Sequence, residues 1–202
     1  MIRILLVEPM NLLRGALAAT LSLEEDFEVV ADLGRLEEVL PMARAVPPDV
    51  TVINIGLLAD DGFGTVARLN TELPNCAILV LAGVDASGRL SQVLDGHVRG
   101  VVDTQAAPCE LVLGIRQLAR GERVIDARLA VAVLAAPRNP LSPRELDVLS
   151  VVASGVPSEE VAAKLHLTAG TVRNYISAVL RRTGARNRLE AVRFAQEAGW
   201  PR

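Results

Sequence analysis

Aromatic residues are scarce: the 202-residue sequence holds one Trp, one Tyr and three Phe. Half of the chain is apolar, which argues against disorder, so the core must be built from Leu, Val, Ala and Ile. Lysine is scarcer still. Lys164 is the single lysine among 21 basic residues, so nothing in the first 163 positions can use a lysine ammonium. The two cysteines, Cys76 and Cys109, form no metal or redox spacing and are expected as reduced thiols in a cytoplasmic protein. The two histidines, His97 and His166, are isolated; His166 is expected to pack in a helix–helix join. No nucleophile–base arrangement, zinc spacing or phosphate loop is present, so neither an enzyme nor a metal or other cofactor is expected. No apolar run approaches the ~20 residues that span a bilayer, and no membrane partner is expected. The opening "MIRILLVEP" reads as a first strand, because no long apolar region or small-residue cleavage site follows it.

What is present is unevenly charged. Residues 1–120 hold 9 Arg against 16 Asp and Glu, net −7, whereas residues 141–202 hold 9 Lys and Arg against 6 acids, net +3. An acidic front joined to a basic tail suggests a sensor or scaffold coupled to a module for a polyanion.

Continuous apolar runs at 2–7, 27–31, 49–54, 77–82 and 100–102 read as strands. Helical patterns separate or follow them at about 10–23, 34–45, 62–72, 86–95 and 107–120. Such alternation predicts a parallel sheet covered on both faces, a doubly wound, flavodoxin-like α/β domain of five strands. No Gly-x-Gly-x-x-Gly follows the first strand, which removes a dinucleotide site. Residues 121–140 contain a short helix and end in Pro137, Arg138, Asn139 and Pro140, a linker. Helices alone are expected beyond it, near 143–154, 158–165, 169–182 and 188–198, a four-helix module. Ser142, Pro143 and Glu145 form a capping box; Ser158 and Thr168 are expected as the next two N-caps.

The stretch "TAGTVRNYISAVLRRTGARNR", 168–188, holds five arginines and no acid. Val172, Ile176, Val179 and Leu180 make one apolar stripe. The opposite face carries Asn174, Ser177, Ala178 and Arg181, flanked by Arg173 and Arg182. A short-side-chain polar face rimmed by guanidinium groups can approach base edges in a major groove. With the short helix before it and the tight "LHL" join at 165–167, this is a helix-turn-helix arrangement.

The run "LSPRELDVLSVVASGVPSEEVAAKLHLTAGTVRNYIS", continuing to about residue 195, strongly resembles the LuxR-type DNA-binding domain of the NarL/FixJ response regulators. That resemblance implies double-stranded DNA as partner. Base contacts would come from Arg173, Asn174 and Ser177, with Arg181 and Arg182 near phosphates. Thr168 and Thr171, at the start of the same helix, complete the expected DNA-binding set. Tyr175 stands where the family often has His, and Ser177 where relatives often carry a longer polar residue.

Residues 1–120, through "PDVTVINIGLLADDG" and "RGVVDTQAAPCEL", resemble the CheY-like receiver domain of the same family. A receiver takes a phosphoryl group on an Asp at the end of the third strand. It also uses Mg²⁺ held by that Asp and two acids after the first strand, a Thr or Ser ending the fourth strand, and a Lys ending the fifth. Here Glu8 keeps one acid and Pro9 replaces the other; Asn54 stands at the acceptor position, Ala82 at the Thr/Ser position and Thr104 at the Lys position. An amide is neither an anionic nucleophile nor the hard anionic oxygen that Mg²⁺ prefers. Asn54 is therefore expected to hydrogen-bond its own loop and Glu8, and Asp60 and Asp61 to be turn residues before Gly62.

The expectation is a cytoplasmic, atypical response regulator with a degenerate receiver. It would be a homodimer on an inverted repeat, pairing through helices 86–95 and 107–120, with Leu111, Ile115 and Leu118 on one side and Arg116 and Arg120 for cross-subunit pairs. Two alternatives stand beside it. One is a repressor that senses a small-molecule effector in the emptied pocket; the other is an interaction protein that sequesters a related regulator.

Overall fold

The computed structural model describes residues 1–58, 62–86, 89–90, 93, 98–135, 139–198 and 200. The expected helix at 86–95, the turn acids Asp60 and Asp61, His97, Pro137 and Arg138 lie wholly or mostly outside that set. The chain divides into two units, Met1–Ala135 and Ala136–Arg202.

In the first unit, strands β1 (Ile2–Val7), β2 (Phe27–Leu33), β3 (Val50–Asn54), β4 (Ala77–Ala82), β5 (Gly100–Asp103) and β6 (Val124–Ile125) form one parallel sheet in the order β2-β1-β3-β4-β5-β6. The helices are α1 (Asn11–Leu21), α2 (Val39–Ala45), α3 (Gly62–Glu72), α4 (Pro108–Ala119) and α5 (Ala127–Ala135). Strand side chains alternate between two cores. Leu5, Val7, Ile53, Ile78, Val80 and Val101 face one way, with Val39, Leu40, Val66, Leu69 and Leu129 from α2, α3 and α5. Ile4, Leu6, Val50, Val52, Leu79 and Val102 face the other, with Leu21 of α1 and Leu111, Ile115 and Leu118 of α4. Burial on both faces is why these strands read as unbroken apolar runs.

In this unit two expectations change. The sheet has six strands, not five. Residues 121–140 were expected as a linker with a short helix; they do supply that helix, α5, but also β6, which pairs with β5 at Gly100↔Val124 and Val101↔Ile125. Leu129 of α5 is buried in the first core. Second, Leu111, Ile115 and Leu118 are core residues, at most 5% exposed, so they are not a pairing surface. Arg116 is committed within its own chain as well. Its guanidinium donates to Asp26 at 2.6 and 2.8 Å and to Glu24 at 2.7 Å, and lies 5.0 Å from the centre of the Phe27 ring.

The second unit is helical: α6 (Pro143–Ala153), α7 (Ser158–Leu165), α8 (Ala169–Thr183) and α9 (Arg188–Glu197). Two apolar clusters hold it together. Leu146, Leu149, Val179, Ala191, Ala195 and Trp200 form one, and Val148, Val152, Val161, Ala162 and Val172 form the other. The Ser142–Glu145 capping box is present in both directions. Ser158 is not a cap: it is the first residue of α7, and Pro157 stands at the N-cap without a side-chain bond.

The join between α7 and α8 turns on His166, at φ 53° and ψ 47°, the left-handed region. Its side chain is exposed rather than packed between helices. Holding an L-residue there costs roughly 1–2 kcal/mol, while a glycine adds roughly 0.5–1 kcal/mol of unfolded-chain entropy. His166→Gly is therefore expected to stabilise this unit by about 0.5–1 kcal/mol. Urea denaturation followed by the fluorescence of Trp200, the sole tryptophan, reads this unit alone; a lowered midpoint would contradict the expectation.

Candidate nucleic-acid interface and the carboxyl edge of the sheet

Helix α8 starts where Thr168 accepts the backbone N–H of Thr171 at 3.1 Å; the two hydroxyls lie 2.8 Å apart. It stops at Gly184, whose φ of 71° an L-residue tolerates poorly. Val172 and Val179 are buried, with Ile176 and Leu180 half-buried beside them. At about 100° per residue, Gly170, Arg173, Asn174, Ser177 and Arg181 share one arc of roughly 100° opposite that stripe. All five are exposed. Ala178, expected on this face, is half-buried at its margin. Gly170 was not singled out in the sequence, although the same angular count includes it. A Cβ placed there would meet only Thr168 Oγ1, at 3.7 Å, so the first turn is open on this side.

The basic residues divide by what holds them. Arg144 donates to the Leu165 carbonyl at 2.9 Å and Lys164 pairs with Glu160 at 3.1 Å. Arg182 is tied inward: Nη1 donates to the Pro140 carbonyl and to Glu145 Oε2, both at 3.0 Å. Glu145 is buried, and its Oε2 also accepts the backbone N–H and hydroxyl of Ser142 at 2.7 Å each. Burial pushes this carboxyl up, but the Ser142 hydrogen bonds and the Arg182 charge outweigh it, so its pKa falls below the ordinary value. Arg173, by contrast, has only an exposed 3.3 Å contact from Nε to the Ala169 carbonyl. On the arc itself, Arg173 and Arg181 are exposed and carry no ion pair among the described residues.

At the other site, β1, β3, β4 and β5 bring Glu8, Asn54, Ala82 and Asp103 to one carboxyl edge of the sheet, through the pairings Val7↔Ile53, Asn54↔Leu81 and Ala82↔Asp103. Glu8 is fully buried. Its Oε2 accepts Asn54 Nδ2 at 2.7 Å and its Oε1 accepts the Met10 N–H at 2.9 Å. Asn54 Oδ1 accepts the Gly56 N–H at 2.7 Å. The expected amide bonds to Glu8 and to its own loop are therefore present. Arg14 braces the same turn, donating to the Glu8 carbonyl at 2.9 Å and to Asp32 at 3.0 Å. Pro9 is exposed, Ala82 buried and Thr104 exposed, its N–H bonded to the Ala82 carbonyl. Asp103, overlooked in the sequence, is buried beside them and accepts the Gln105 N–H at 2.9 Å. Among the described residues no buried side-chain nitrogen or oxygen lacks a partner, and no three His, Cys, Asp or Glu side chains are grouped to hold a metal.

A six-stranded parallel sheet of this order, followed by a four-helix unit with an arginine-rimmed second helix of the pair, defines a two-part regulator architecture. The family model described as "Bacterial regulatory proteins, luxR family" matches residues 139–195. The chain is 38% identical to the response regulator RamR of Streptomyces coelicolor over 99% of its length and 98% of RamR. It is 32% identical to the transcriptional regulatory protein DesR of Bacillus subtilis over 99% of each. Among solved structures it is similar to the response regulator RcsB in complex with DNA, at a TM-score of 0.66 and 20% identity over 97% of this chain and 98% of that one. The chain belongs to the response regulators of the NarL/FixJ type, with a LuxR-type helix-turn-helix domain. One of these relatives is named a response regulator and the other a transcriptional regulatory protein, and among the described residues no helix is long and apolar enough to cross a membrane.

Proposed function

We propose that the chain is a DNA-binding transcription regulator whose action does not wait on phosphorylation of an Asp. The observation that carries this reading is a contrast between its two units. The arc of Arg173, Asn174, Ser177 and Arg181 is exposed and free of acidic partners among the described residues, whereas the residue at the acceptor position, Asn54, is an amide already bonded to Glu8. Arg173, Asn174 and Ser177 read base edges in the major groove, Arg181 meets the backbone, and Thr168 and Thr171 seat the first turn against it. Arg182 contributes by holding the helix end to Glu145 and Pro140 rather than by a direct phosphate contact. The test is a mobility shift of the full-length chain on genomic fragments, with and without acetyl phosphate and Mg²⁺. Selective retention of some fragments, unchanged by acetyl phosphate, and an unchanged mass are expected. Loss of all selectivity, or an alkali-labile phosphoryl adduct on residues 1–135, would overturn it.

One such module makes few base contacts, so useful specificity calls for two half-sites. The reading therefore includes a homodimer on an inverted repeat. With Leu111, Ile115 and Leu118 in the core, we place the pairing surface on α1, where Leu12 is exposed, Gly15 has open space around it, and Ala16 and Ala19 continue the same uncharged face. Light scattering at roughly ten micromolar is expected to give twice the chain mass without any phosphodonor; a monomer there, binding one half-site as tightly as the repeat, contradicts it.

A further inference from the structure

Phosphoryl-accepting receivers work with Mg²⁺ at this edge of the sheet, and the residues present here do not fit that ion. A cation needs oxygen lone pairs turned towards it. Both oxygens of Glu8 already face N–H donors, Pro9 has no donor atom in its side chain, and Asn54 turns its N–H, not an oxygen, towards Glu8. Asn54 Oδ1 is taken by the Gly56 N–H and Asp103 Oδ1 by the Gln105 N–H, and among the described residues no three His, Cys, Asp or Glu side chains are grouped to hold a metal.

We infer that the Asn54 amide stands in for a bound cation, as a permanent cross-link between the loop that follows β1 and the loop that follows β3. The path is continuous: the Met10 N–H donates to Glu8 Oε1 at 2.9 Å, Asn54 Nδ2 donates to Glu8 Oε2 at 2.7 Å, and the Gly56 N–H donates to Asn54 Oδ1 at 2.7 Å. Each end is a backbone group, so one side-chain pair fixes two stretches of main chain to each other. The neutral amide suits the place. It supplies the positive end of a dipole to a fully buried carboxylate that would otherwise be an uncompensated charge. Gly56 fits the same arrangement, because a Cβ there would lie 3.0 Å from Asn54 Oδ1. Arg14, donating to the backbone carbonyl of Glu8 at 2.9 Å, holds the first loop from behind. The edge that in a switching receiver changes with metal and phosphoryl group is here held in one arrangement without either.

This inference rests on the proposed independence from Asp phosphorylation, and the two can fail separately. A phosphoryl adduct on the receiver defeats that reading whatever the loops do. The cross-link is tested by hydrogen–deuterium exchange of the full-length chain, comparing wild type, wild type with Mg²⁺, and Asn54→Ala, in peptides covering 8–12 and 54–58. Wild-type exchange is expected to be the same with Mg²⁺ or with chelator. In Asn54→Ala, exchange is expected to speed up about tenfold in both peptides, including the one that contains no substituted residue. Faster exchange in 54–58 alone would reduce Asn54 to a cap on its own turn and overturn the inference. So would slower exchange of wild type in Mg²⁺. If the variant does not fold, Asn54→Ser, whose single, shorter hydroxyl cannot span both Glu8 and the Gly56 N–H, is read in the same two peptides with the same expected outcome.

Discussion

Replacing Arg173 by alanine is expected to weaken binding to the cognate operator by about 1–3 kcal/mol, with relaxed preference at one base pair per half-site. The guanidinium lies on the exposed arc of α8, and its one hydrogen bond among the described residues, 3.3 Å to the Ala169 carbonyl, is exposed. Removing it should therefore cost little stability. Arg181→Ala is the contrasting case: affinity should fall similarly on specific and random DNA, and the slope of log K against log salt should shrink by about 1. Binding isotherms on cognate and scrambled duplexes across a salt series separate the two patterns. Equal losses on both duplexes for Arg173→Ala would show that the arc is turned away from the bases.

The second large effect is expected at Glu145. Alanine there removes the capping box and leaves the Ser142 N–H, the Ser142 hydroxyl and Arg182 without the oxygen they share. The Ser142 hydroxyl still caps the backbone N–H of residue 145, so the loss is the reciprocal half of the box, about 0.5–1 kcal/mol, and the stranded donors, about 1–2 kcal/mol more. Arg182 is half exposed and can be rehydrated, which keeps the total below that of a fully buried pair. A loss of about 1.5–3 kcal/mol from the second unit is expected, read by urea denaturation through Trp200. Glu145→Gln keeps a capping oxygen and should lose less than half as much. The pH dependence has a definite sign. The folded carboxyl titrates below its ordinary value of 4.5, so its contribution is present above that pH and is lost as the medium is acidified through the folded pKa. Wild type should lose stability on acidification more steeply than Glu145→Gln; parallel curves would contradict the assignment.

Strands buried on both faces announce themselves, and β1, β3, β4 and β5 were legible to within a residue or so. Strand β6 was not: two residues between Arg123 and Asp126 have no periodicity to detect, and they become a strand only because β5 offers an open edge. On α4 the spacing of Leu111, Ile115 and Leu118 correctly marked one apolar face, but spacing alone does not say whether a sheet or a second chain covers it. The arginines show the same limit from the side of charge. Arg116 is satisfied by Asp26 across 90 positions and Arg182 by Glu145 across 37, so local sequence left both looking free. Asn54 was readable because chemistry, rather than distance, defines what an amide cannot do. Its bond to Glu8, 46 positions away, was expected because the resemblance to a receiver puts both residues in one pocket.

Strand β6 and helix α5 also decide how the front half of this chain can be handled in isolation. A fragment cut at residue 120, where the fifth βα unit ends, would strip the backbone partners from Gly100 and Val101 and remove Leu129 from the core above them. It would then present a bare, apolar strand edge, the template on which chains stack into aggregates. A fragment cut at residue 135 keeps that edge paired and is the one expected to stay dispersed at high concentration.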